Sequence, residues 1–203
     1  MTAREWGLSK LELRRLRALK TPERVQAFLD NQLKYNKAGT CRSVRSTLRA
    51  GSAHCLEGAL VAAAALRVHG RPCILMDLEA VRDDDHVVAL FRERDCWGAI
   101  AKSNYSGLRF REPVYRTLRE LAISYFEHYY NPKGEKTLRA YSRPVDLARF
   151  DSIGWMTGTG DVWPVAEYLV KVKHYPLLHS HQARVRRWID QRSFAAGFVG
   201  AKR

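Results

Sequence analysis

Gly51-Ser-Ala-His-Cys55-Leu-Glu-Gly-Ala-Leu-Val-Ala-Ala-Ala-Ala-Leu-Arg-Val-His-Gly70 sets a cysteine at the head of a run of small and apolar residues. The run predicts a helix that Cys55 opens. Backbone N–H groups in the first turn of a helix lack intrahelical acceptors and stabilise negative charge, which lowers the pKa of a thiol placed there. Cys55 is therefore a candidate nucleophile. A free cysteine more often serves as a small buried hydrophobe, and position separates the two roles. Cys55 stands at the start of the helix, and Gly51 and Ser52 before it allow a sharp turn and close approach of a substrate.

Gly70-Arg-Pro72 then turns the chain into the apolar run Cys73-Ile-Leu-Met76, and a second run, Val87-Val-Ala-Leu-Phe91, begins directly after His86. A turn at Arg92-Glu-Arg-Asp95 leads to a third run, Cys96-Trp-Gly-Ala-Ile-Ala101, which ends in Lys102-Ser-Asn104. The short connections predict an antiparallel meander of three strands backed by the cysteine helix. His86 follows the solvated turn Asp83-Asp-Asp85 and heads an apolar strand. From that boundary a side chain can project over the sheet edge toward a helix N-terminus, the place of a general base.

Helical signals flank this unit. Ser9-Lys-Leu-Glu12 has capping-box spacing before Leu11, Leu13, Leu16 and Leu19, and Thr21-Pro22-Glu23 starts a second helix with Val25, Phe28, Leu29 and Leu33 on its apolar face. The two are expected to pack as a hairpin, and residues 37–51 read as a polar, basic loop. After Glu112-Pro113, Val114, Leu118, Leu121, Ala122, Tyr125 and Tyr129 recur at helical spacing, and Asn131-Pro-Lys-Gly134 ends that helix. Beyond a loop with Gly154, Gly158 and Gly160, helices are expected from Trp163-Pro164 to about Lys173 and from Gln182 to Gln191. The class is α+β in one domain, 1–203, divided into a helical hairpin (1–36), a core (37–131) and a C-terminal helical extension (132–203).

The formal charge of +14 and the pI near 10.0 favour anionic partners such as nucleic acid, acidic lipid or acidic substrates. The cations are spread over Arg14, Arg15, Arg17, Lys20 and Arg184-Val-Arg-Arg187, and no nucleic-acid-binding motif gathers them. Cys41, Cys55, Cys73 and Cys96 are too widely spaced for a disulfide scaffold or a zinc ribbon, and His174, His179 and His181 have no nearby cysteine. Free thiols, no metal and no cofactor are expected. Met1 to Trp6 lacks the apolar core of a signal peptide, and Ala59 to Leu66 is too short to span a bilayer, so the expected location is the cytoplasm, with no membrane partner.

Cys55, Ala59, Leu66-Arg67, Gly70, Pro72, His86 and Trp97 form the pattern Cys-x-x-x-Ala, Leu-Arg-x-x-Gly-x-Pro, a histidine opening a strand and a tryptophan in the next. Over Gly51 to Asn104 this resembles the transglutaminase-like superfamily. The resemblance implies a papain-like core in which a nucleophile-bearing helix packs on a small antiparallel sheet, flanked by N- and C-terminal helices, with a Cys-His-Asp or Cys-His-Asn triad. Family members include protein cross-linkers, cysteine peptidases, amidases and peptidoglycan-cleaving enzymes, so it implies chemistry rather than substrate. Two positions depart from it: Val87-Val-Ala-Leu90 replaces the usual tryptophan and acidic residue after the histidine, and Ala101 stands where members carry the triad aspartate.

The third triad place falls to Asn104, whose amide oxygen suits an imidazole N–H, with Ser103 as the alternative on the strand face of Trp97 and Ala101. Lys102, Trp97 and Tyr105 are the candidate substrate-binding residues, and Lys102, Tyr105 and Arg109 would suit an acidic substrate. Trp155 and Trp163 either cover the cleft or pack the C-terminal helices, and packing is the commoner role. Glu57 is expected to complement the helix dipole. The expected function is acyl transfer or hydrolysis of a protein, a peptide or a small amide or ester through a Cys55 thioester, with His86 as base. The alternative is a catalytically silent fold of the same type that binds protein or nucleic acid through its basic surface.

Overall fold

The computed structural model describes residues 6–201; residues 1–5 and 202–203, and with them the reading of the chain start as lacking a signal peptide, lie outside the described residues. Ser9 and Glu12 close the expected capping box at the head of α1 (Lys10–Arg17), and Thr21 caps α2 (Pro22–Gln32) with proline at the first helical position. After β1 (Lys34–Tyr35) the expected loop holds a further helix, α3 (Val44–Ala50), capped by Ser43 and burying Val44, Thr47 and Leu48. Gly51 ends it at φ 63°, a left-handed conformation that favours glycine. The chain then forms β2 (Ser52–Ala53), parallel to β1, and enters α4 (Cys55–Val68).

α4 is buried on every side from Leu56 to Arg67, the mark of a central core helix. Ala59 and Ala62 to Ala65 keep it slender, so α1, α2 and α3 pack around it; the first two lie on α4 more than on one another, rather than as a separate hairpin. It packs tightly at Gly58, where an added Cβ would lie 2.3 Å from Cβ of Lys102. Gly58→Ala is expected to cost about 1–3 kcal/mol of stability through overpacking, read from the urea unfolding midpoint. An unchanged midpoint would show that the contact yields freely.

The three expected strands are β3 (Ile74–Ala80), β4 (His86–Glu93) and β5 (Cys96–Ile100), with Arg94 and Asp95 at positive φ in the β4–β5 turn. The sheet extends further. β6 (Arg111–Tyr115) precedes α5 (Leu118–Ile123), and β7 (Leu138–Ser142), β8 (Val145–Asp146), α6 (Trp163–Lys171), β9 (His174–Pro176), α7 (Ser180–Arg184) and α8 (Gln191–Gly197) follow. The strand order is β6-β5-β4-β3-β7-β9, antiparallel throughout, with β8 also pairing β3.

Three expectations are corrected here. Val114 lies on edge strand β6 and is exposed, because Pro113 is tolerated at a sheet edge and the helix begins only after Thr117 caps it. The segment 132–203 is not helical alone, since it supplies β7, β8 and β9 to the central sheet. The single helix expected over Gln182 to Gln191 is two short ones, α7 and α8, on either side of an extended stretch.

The sheet separates two cores. Leu75, Val87, Ala89, Phe91 and Ile100 face the α4 layer, whereas Met76, Leu78, Val88, Leu90 and Ala99 face α5, Tyr125 and Tyr129. The resulting α+β architecture brings the N-terminus of α4 and the first residue of β4 to the same end of the sheet.

Candidate functional site

Glu57, the third residue of α4, has no exposed side-chain surface, and its carboxylate organises everything N-terminal to it. It accepts hydrogen bonds from Arg42 Nε and Nη2, both at 2.8 Å, from Thr40 Oγ1 at 2.7 Å and from Asn36 Nδ2 at 3.2 Å. The backbone N–H groups of Arg42 and His54 donate to it as well, and the His54 ring meets the Thr40 carbonyl. Burial alone would raise the Glu57 carboxyl, but Arg42 and Thr40 outweigh it and hold it at about 2. Glu57 thus does more than complement the helix dipole: it clamps residues 36–42 over the head of α4.

Beneath that loop lies a cleft of about 570 Å³. Its walls include Cys55 and His54 from the helix start, Asn36 to Cys41 from the clamped loop, Asp83 to His86 from the turn into β4, and Tyr35, Ser103, Tyr105, Tyr129, Tyr130 and Trp163. Cys55 and His86, distant in sequence, therefore open into one space.

Their relation inside it differs from a preformed ion pair. The Cys55 thiol points at the carbonyl oxygen of Asp85, 3.9 Å away, and no hydrogen bond joins it to the imidazole among the described residues. Strand alternation explains the offset: Val87 faces the α4 layer, so His86 shares the opposite face with Val88 and Leu90. There its ring meets the edges of Tyr125 and Tyr129, with centroids 6.4 Å away in both cases, and its Nε2 lies 2.8 Å from the carbonyl oxygen of Leu108. As a donor to that carbonyl, Nε2 carries the proton of the neutral ring and leaves Nδ1 as its basic atom.

Electrostatics keep both groups neutral at rest. Burial pushes the Cys55 thiol up to about 11, against the backbone N–H groups of Val87 and Leu56, which favour the thiolate. This corrects the expectation of a thiol lowered by the helix N-terminus: desolvation outweighs the N–H groups that favour the thiolate. Burial likewise drives His86 down to about 4, with the Arg111 guanidinium adding to the effect.

The other sequence candidates divide. Ser103 and Tyr105 line the cleft; the Ser103 hydroxyl accepts the Tyr105 N–H at 3.0 Å, and the Tyr105 ring packs edge-on against Tyr130. Asn104 sits in the bend after β5, is half-buried and is not among the lining residues. Lys102 is turned into the interior, where Nζ donates to the carbonyls of Leu29 and Leu33 at 2.6 and 2.7 Å and so caps the C-terminal end of α2. It offers no charge to a substrate. Trp97 pairs with Arg92, six residues or about 20 Å along β4 from His86, lies under the Arg92 guanidinium and is not among the residues lining the cleft. Arg109 pairs with Asp30, Trp155 is fully buried, and the half-exposed Trp163 is the tryptophan that reaches the cleft.

Several residues of the site were not singled out from sequence. Tyr129 reads as one member of a helical apolar stripe, yet its hydroxyl donates to the Asp84 carbonyl at 2.7 Å and holds the turn before His86. The Leu108 contact is made by a backbone carbonyl, which has no residue-type signature. All four cysteines are free thiols. Among the described residues no cluster of His, Cys, Asp and Glu suits a metal ion, and no helix is long and apolar enough to cross a membrane. In comparisons with known proteins, no family model matches the chain and no curated protein matches it.

Proposed function

We propose that the protein is a cysteine-dependent acyl-transfer enzyme of transglutaminase-like type, acting on an amide or ester through a thioester on Cys55. The observation that carries this reading is the convergence of a helix-opening cysteine and a strand-opening histidine on one cleft of about 570 Å³. Because both groups rest in their neutral forms, the thiol proton must leave as the new bond forms. Nδ1 of His86 takes that proton while Sγ attacks the carbonyl carbon; the imidazolium then returns it to the leaving nitrogen or oxygen as the old bond breaks. Water or an amine repeats the sequence on the thioester and regenerates the thiol. The Leu108 carbonyl holds Nε2–H and serves in place of a side-chain triad member, while the Cys55 N–H, free of an intrahelical acceptor, suits the developing oxyanion. Bringing Nδ1 to Sγ requires the two side chains to move toward each other when the cleft fills.

The test is acylation by p-nitrophenyl acetate, followed by intact and peptide mass spectrometry. A hydroxylamine-labile acyl group on Cys55 is expected, absent in Cys55→Ala and formed about 100-fold more slowly in His86→Ala, the usual size of a lost general base. An unmodified Cys55 would overturn the reading. A second reading, a silent basic module that binds a partner, draws on the raised thiol pKa and on a thiol directed at the Asp85 carbonyl rather than at the imidazole. It predicts no acylation together with partner binding that weakens steeply with salt.

A further inference from the structure

Resting on the acyl-transfer reading, we infer that the cleft selects substrates bearing a cationic group beside the reacting carbonyl, held by the wall of Asp83, Asp84 and Asp85 and the neighbouring tyrosines.

The chain carries 35 Lys and Arg against 21 Asp and Glu, so an acidic side chain has cations to spare around it. None pairs with these three aspartates among the described residues. Arg82, the immediate neighbour, turns to Glu135, as does Arg186, while Lys136 turns to Glu127. The aspartates are held instead by neutral donors: Asp83 by Thr137 Oγ1 at 2.7 Å and the Asp84 N–H at 3.0 Å, Asp85 by the Ala80 N–H at 2.8 Å. The Asp84 side chain is exposed, and its backbone is pinned by Tyr129. Against these three carboxylates the cleft wall sets one lysine, Lys37. The local sign is therefore opposite to that of the molecule as a whole.

The remaining lining suits the same ligand. Tyr35 and Tyr105, both half-buried, present aromatic surface, which attracts ammonium and guanidinium groups through the ring quadrupole. A bound cation would also act on the nucleophile. The charge of Asp84 is among those that raise the Cys55 thiol, and a positive group beside it offsets that field and favours the thiolate. Recognition and activation then share one cause, and an anionic substrate is refused for the same reason.

The experiment compares two chloroacetamides of matched size, one ending in a primary ammonium and the other in a carboxylate, on the full chain, with Cys55 alkylation followed by peptide mass spectrometry. At low ionic strength the cationic probe is expected to react at least about tenfold faster, and the ratio is expected to fall toward one at about 0.5 M salt as exposed charges are screened. The overall charge of +14 would favour the anionic probe, so the expected order runs against the field of the whole molecule. Asp84→Asn is expected to reduce the ratio at least about threefold, one carboxylate of three being neutralised. Equal rates, or faster labelling by the carboxylate, would overturn the substrate class while acetylation of Cys55 by the neutral ester still stood. Failure of both probes and of the ester would overturn the two readings together.

Discussion

Glu57→Gln is expected to lower the unfolding free energy by about 3 kcal/mol, the cost of removing one partner from a buried ion pair. The glutamine keeps one acceptor oxygen but turns an amide N–H₂ toward Arg42, Thr40 and Asn36, all of which are donors to the native carboxylate. The loss should be regional as well as global. Backbone hydrogen exchange across residues 36–42 is expected to accelerate, because Glu57 is the common anchor of that loop. The pH dependence has a definite sign: the carboxyl is held at about 2 against an ordinary 4.5, so its stabilisation is full above 4.5 and is lost as pH falls toward 2. Glu12, held down by Arg45, titrates in the same window, so the wild-type curve minus the Glu57→Gln curve isolates the Glu57 contribution. A variant within 1 kcal/mol of wild type at pH 7, with unchanged exchange in 36–42, would show that the clamp is not needed.

The second large effect concerns His86. Its pKa falls from 6.5 when solvated to about 4 when buried, so protonation favours the unfolded chain. Stability from this group is complete above pH 6.5 and is lost as pH falls through 6.5 to 4, for a total of about 3 kcal/mol at 1.36 kcal/mol per pKa unit. Asp77 acts in the same range with the opposite sign, since burial and the charge of Asp85 raise it against the pull of His174. Urea titrations of wild type and His86→Gln between pH 4 and 7.5 separate the two. The difference in unfolding free energy is expected to grow by about 3 kcal/mol from pH 4 to pH 7. Parallel curves would mean that the imidazole is solvated. The same burial bears on chemistry, because a histidine neutral down to about pH 4 is available as a base across the physiological range.

The local signals in the sequence were reliable where they rested on neighbouring residues. The capping box at Ser9 and Glu12, the proline start of α2, the cysteine at the head of α4 and the β3–β5 meander all depend on side-chain preferences within a turn or two of chain. Tyr125 and Tyr129 show where that reasoning ends. Their spacing fits a helical stripe, but Val114 lies in an edge strand, where Pro113 is tolerated, and the two tyrosines lie beyond the short helix α5. The strands after residue 132 were illegible for a related reason: each is short and gains its place from partners distant in the chain.

For the site, the sequence by itself determined which atoms are available: a thiol at a helix start, an imidazole at a strand start, and an acidic turn between them and the core. Tertiary structure decided what those atoms do. It buried Lys102 against the end of α2, carried Trp97 away along β5, gave Nε2 of His86 to a backbone carbonyl and closed the Arg42–Glu57 clamp over Cys55. Desolvation and partner choice depend on groups far apart in the chain, so the sign of each pKa shift and the direction of each side chain emerge only when the fold brings those groups together.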